Sequence, residues 1–91
     1  MFNGFQRKWL NSVAYKNTFQ SDDGQRVLRD LSGFCHAGKT SVKLGPHGVD
    51  PQATLVAEGR REVWLRISDY LGLTPDQMRQ LAEAARQEET R

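Results

Sequence analysis

Eight consecutive residues, Gly33-Phe34-Cys35-His36-Ala37-Gly38-Lys39-Thr40, fit the phosphate-cradling pattern G-x-x-x-x-G-K-[ST] letter for letter. In a working loop of that kind, backbone amides hold phosphates between the end of a buried strand and the start of a helix. Neither neighbour is present here. The residues before Gly33 repeat apolar side chains at helical spacing, and those after Thr40 run into Gly45-Pro46, which leaves no room for a following helix. A chain of 91 residues also has no length for the usual parallel sheet. The match is read as chance, Lys39 has no phosphate to serve, and no nucleotide or other small-molecule substrate is expected.

Cys35, His36 and His47 invite a metal reading. Zinc takes four protein ligands in a structural site and three in a catalytic one, usually as short spaced pairs. Two adjacent residues and a distant third fit poorly, and Cys35 falls on an apolar helical stripe where a thiol acts as a small hydrophobe. No nucleophile, base and acid stand in a recognisable set, and the carboxylates have structural uses as caps and helix-surface charges. The expectation is a protein that is not an enzyme, with no metal and no cofactor.

Charge is more informative than these motifs. The total is +2, but residues 1–20 carry Arg7, Lys8 and Lys16 and no acid, while the stretch from Asp50 onward holds six arginines and eight acids. Lys39 and Lys43 add to the basic front half. Such polarity suits head-to-tail packing of copies or a basic end near nucleic acid. Within Glu58-Gly59-Arg60-Arg61-Glu62, a glycine placed on a helical apolar stripe points to close approach of a backbone or a ring. The arginines beside it suit a carboxylate or a phosphate. One of the two is expected to be more buried than the other and paired to a carboxylate. Gly59, Arg60, Arg61, Lys39, Lys43, Arg7 and Lys8 are therefore the protein-interaction candidates.

The elements that position these residues are helical. The pattern predicts an all-α fold, a single small domain over residues 1–91 with three or four helices at about 5–19, 22–35, 51–71 and 75–88. A long Gly-rich loop over 36–49 joins the second and third. The first helix has Phe5, Trp9, Leu10 and Val13 near one face, Tyr15 and Phe19 to the side, and no strong cap at its start. The second is capped by Ser21 or Asp22 and carries Val27, Leu28, Leu31, Phe34 and Cys35 as one stripe. Thr40 to Leu44 permits a short strand. Asp50-Pro51 opens the third helix and Gly72 ends it. Its predicted stripe is Val56, Gly59, Val63, Ile67 and Tyr70, with Trp64 and Leu71 beside it, and Glu58–Arg61 and Glu62–Arg66 are spaced for weak surface pairs. The fourth helix opens with a Thr74–Gln77 capping box and Pro75, and offers Met78, Leu81, Ala82 and Ala85. The second and third stripes are expected to pack as an antiparallel pair. Mean hydropathy is −0.68, so the core is thin, and the large aromatics suggest that a partner or further copies cover part of the apolar surface. The lone cysteine fits a reducing cytoplasm. The first residues lack the apolar run of a signal peptide, and no apolar run is long enough to engage a membrane.

Phe19, Gly24-Gln25, Val27-Leu28, Asp30-Leu31, the cysteine at 35, and then Glu58-Gly59-Arg60-Arg61 with Val63 and Ile67 form an ordered pattern. It resembles a small structural domain family of short-tailed phages and prophages, of the Bordetella-phage type, over roughly Tyr15 to Gly72. The resemblance implies a bacteriophage virion or morphogenesis protein with no catalytic residues to transfer. Such a protein is made in the bacterial host cytoplasm and placed in the virion, at the head–tail (portal) junction or with the head. Its implied partners are portal, capsid or tail components and copies of itself. Packaged DNA is a further partner if the chain is instead a small DNA-binding or packaging accessory protein.

Overall fold

Local punctuation sets the helix ends. A computed structural model describes residues 3–35 and 40–89, in which four α-helices and one two-stranded hairpin occur. Helix α1 spans Gly4–Gln20, and its start is better marked than its sequence suggested. The Asn3 side chain accepts from the Gln6 amide at 2.8 Å while the Gln6 side chain accepts from the Asn3 amide at 3.1 Å, a capping box built without Ser or Thr.

Helix α2, Asp22–Phe34, follows after Ser21 alone, whose hydroxyl accepts from the Gly24 amide at 2.9 Å. So short a connection forces the two helices together. A Cβ at Gly24 would lie 2.3 Å from the Thr18 carbonyl oxygen and 2.7 Å from the Phe19 Cα, so this corner is closed to any side chain. The Gln25 side-chain amide donates to the Phe19 carbonyl at 2.6 Å across the same corner, satisfying an otherwise orphaned helix-end acceptor.

The stretch between α2 and α3 is less irregular than expected. Strands β1 (Leu44–Gly45) and β2 (Gly48–Val49) pair antiparallel, Leu44 opposite Val49 and Gly45 opposite Gly48, around Pro46-His47. Gly48 takes the left-handed backbone, φ 105°, that closes so tight a turn. The strand thus begins where the Thr40–Leu44 reading ended. The Lys43 amide donates to the Thr54 hydroxyl at 3.0 Å and the Ser41 hydroxyl donates to the Glu58 carboxylate, which lays residues 41–43 along the start of α3.

Helix α3, Pro51–Leu71, and helix α4, Pro75–Glu89, begin where the caps predict. The Asp50 carboxylate accepts from the Ala53 amide at 3.0 Å, and Gly72 ends α3 in the left-handed region. Thr74 and Gln77 exchange both bonds of their capping box, at 2.9 and 3.2 Å.

The core is small: Leu28, Cys35, Trp64 and Ile67, flanked by Tyr15, Phe19, Leu31, Leu71, Leu73, Met78 and Leu81. Trp64 is 1% exposed and sets the rotation of α3. Its ring has more apolar area to bury than a valine, so the inward face is Ala57, Trp64, Ile67 and Ser68, and Val56, Gly59 and Val63 turn outward. Of the expected α3 stripe, Ile67 is buried and Tyr70 half-buried, while the other members lie one position, about 100° of helix rotation, from the inward face. The expected α2–α3 antiparallel pairing is also corrected. Helix α2 packs mainly on α4 and α1, and α3 reaches it chiefly through long side chains. Val27 and Phe34, expected in that interface, are exposed. An Arg29–Glu88 ion pair at 3.1 Å ties α2 to α4. Helix α4 buries Ala85 and half-buries Met78, Leu81 and Ala82, the face its spacing predicted.

Candidate functional site

Helix α1 is held to the body from Asn11 onward. Its Asn11 side-chain amide donates to the Tyr70 hydroxyl at 3.3 Å, the Ser12 hydroxyl donates to the Tyr70 carbonyl at 3.0 Å, and the Tyr15 and Tyr70 rings stack with centroids 4.6 Å apart. Tyr15 and Phe19, which the helical wheel placed to the side, are the inward residues. The face expected to be the helix's apolar core face points away: Phe5 is 80% exposed, Trp9 60%, and Leu10 and Val13 are more than one third exposed. Arg7, Lys8 and Lys16 are exposed on the same helix and form no ion pair among the described residues.

The second uncovered surface is the outer flank of α3. Val56 and Val63 are each more than half exposed, with exposed Gly59 between them on the helix face. Nothing lies within 4 Å of where a Gly59 Cβ would be. The close approach expected at Gly59 is therefore not made among the described residues, and Gly24 is where a helical glycine does permit close approach.

The two arginines divide differently from expectation. Arg60 is the more buried, but its guanidinium lies 4.5 Å from the centre of the Phe34 ring rather than on a carboxylate. Exposed Arg61 takes the acid, donating to Glu58 at 3.3 Å. The Glu58 carboxyl is held below the usual carboxylate range, chiefly by the Ser41 hydroxyl, with burial opposing and Arg61 adding a lesser pull downward. Glu62 and Arg66 form no ion pair, and Arg66 lies over the Tyr70 ring at 5.5 Å.

Cys35 is buried in the core, and burial raises its thiol pKa, with Arg60 pulling the other way. His36 and Lys39, and with them the centre of the G-x-x-x-x-G-K-[ST] match, lie outside the described residues. The match is entered from an amphipathic helix, and the described residues after it lead to a β-hairpin, so neither flank is that of a phosphate loop. Lys43 is half-buried and contributes its backbone to the hairpin–α3 contact. Among the described residues no group of three His, Cys, Asp or Glu side chains could hold a metal ion.

The sequence of the Bbp19-like phage protein family matches residues 15–83. The chain belongs to that family. Comparison with curated proteins and with solved structures gives no match. The family match covers the Gly24 corner, the core and the α3 flank, and continues past Gly72 into α4, farther than the pattern of similar residues suggested. It begins inside α1, so Phe5, Trp9 and Val13 precede it. No helix among the described residues is long and apolar enough to cross a membrane.

Proposed function

We propose that this Bbp19-like phage protein is a non-enzymatic structural or assembly component of the virion, used in multiple copies at the head–tail junction or in association with the head. The observation that carries the reading, beside family membership, is the pair of uncovered apolar surfaces on α1 and α3. Large side chains left in water on a folded domain mark a contact surface, and the contact partners of a phage structural protein are portal, capsid or tail components and further copies of itself. Arg60 and Arg61 follow Gly59 on α3, the first held over Phe34 and the second paired with Glu58. The test is mass spectrometry of purified particles. The chain is expected among their components, and its absence would sink the reading.

One observation favours a second reading, a small DNA-binding or packaging accessory protein: Arg7, Lys8 and Lys16 on α1 have no acidic partner among the described residues. Phosphate contacts release counterions, so such binding falls steeply with salt. A gel shift with duplex DNA across a salt series separates the two readings.

A further inference from the structure

The molecule exposes more surface than its size requires. A closed chain of 10.4 kDa exposes about 5,400 Å², whereas this one exposes 7048 Å². Its radius of gyration is 15.3 Å, against about 12 Å for a compact domain of this length. The excess, about 1,600 Å², is twice what one partner contributes to a standard interface, roughly 800 Å². Two interfaces per chain is what a head-to-tail assembly uses, since each copy offers one surface forward and a different one back.

The two uncovered surfaces differ in the way such an assembly needs. On α1, Phe5, Trp9 and Val13 stand at four-residue spacing along one side of a helix with three cations and no acid. Placing two such helices against each other would oppose like charges, which disfavours a symmetric α1–α1 contact. On α3, the valines at 56 and 63 border a notch at Gly59, and the adjoining Glu62 forms no ion pair among the described residues. Glycine is a poor helix former, and none of the described residues occupies the room it leaves.

We infer that the Phe5–Trp9–Val13 side of α1 in one copy docks on the Val56–Gly59–Val63 flank of α3 in the next copy, with the Trp9 ring over Gly59, joining copies head to tail. The occupant of each uncovered surface is thus a second copy of this chain. This deepens, and rests on, the proposal that the protein works in multiple copies.

The test uses the full-length chain in native mass spectrometry and sedimentation velocity over a range of concentrations. The wild type is expected to associate beyond a monomer. Trp9→Ala and Gly59→Leu should each weaken association at least about tenfold, the loss of a central aromatic anchor, while helix content by circular dichroism stays at the wild-type level. A mixture of the two variants should form a one-to-one dimer, because Gly59→Leu keeps an intact α1 side and Trp9→Ala keeps an intact α3 flank. A wild type that stays monomeric at all concentrations overturns the inference. So does an oligomer that neither substitution weakens, a mixture that remains monomeric, or a monomer whose α1 binds duplex DNA instead. Particle composition is a separate readout. A solution monomer that is nevertheless found in virions defeats this contact and leaves the virion role standing, whereas a head-to-tail oligomer missing from virions does the reverse.

Discussion

Gly24 and Gly59 both lie inside helices, yet a side chain added at the first would strike the Thr18 carbonyl and one added at the second would meet nothing. The difference extends to the regions around them. Around Gly24, a one-residue connection and the Leu28–Cys35–Trp64–Ile67 cluster draw α1, α2 and the end of α3 into a closed corner. Around Gly59 and along the first half of α1, equally apolar residues are left in water. Both regions carry apolar side chains at helical spacing. What separates them is whether the same chain supplies the covering surface. An apolar stripe on a small domain therefore does not by itself say that the domain covers it.

Substitutions break this comparison in graded steps. The largest effect is expected at Trp64, where replacement by Ala removes the one large side chain fully enclosed in the core and should lower unfolding free energy by about 3–5 kcal/mol. Chemical denaturation measures it, and a loss near that of an average surface site would mean the core is elsewhere. Gly24→Ala comes next. Its methyl must displace backbone rather than a flexible side chain, so a loss of about 3 kcal/mol, the upper end of ordinary overpacking, is expected. Gly59→Ala should move the other way. With open space around it, the change gains helix propensity worth roughly 1 kcal/mol and should raise the melting temperature of the monomer. A drop there would show that the notch is filled by the chain itself.

The smallest effect concerns pH. Burial raises the Cys35 thiol above its ordinary value of 9.0. Below that pH the thiol is protonated whether the chain is folded or not, and its contribution is complete. As pH rises past it, the unfolded chain gives up the proton first and stability falls until the folded thiol also titrates. Comparing denaturation of wild type and Cys35→Ala across pH 8–10 should show a shallower decline in the variant, and equal slopes would place the thiol in water.

Helix ends were legible from sequence because they are written in neighbouring residues: Asp50-Pro51 and Gly72 for α3, Thr74 with Gln77 for α4, Ser21 for α2. The hairpin at Leu44–Val49 was half legible, its extended backbone more so than its turn. The cap at Asn3 was missed because Asn takes the place of the more common Ser or Thr of a capping box. Rotation of α3 was not legible. Two adjacent faces of that helix carry apolar residues, and only the presence of a site for the Trp64 ring decides which turns inward. The same ambiguity misassigned α1, where the larger cluster of Phe5, Trp9 and Val13 is the exposed one and Tyr15 with Phe19 makes the contact. Of the candidate site residues, the segment around Gly59 was singled out by composition, but its geometry was reversed: the glycine faces outward and touches no neighbour among the described residues.

The most direct test is the quantity of this chain in purified particles made with the wild-type protein and with Trp9→Ala. Trp9 is remote from the core, so the variant should fold and accumulate in the infected cell to the wild-type level, within the half kcal/mol of stability typical of exposed sites. If the open side of the molecule is its assembly surface, the wild type is found in multiple copies per particle and the Trp9→Ala chain is depleted or missing. Incorporation of the variant at the wild-type level would contradict the account.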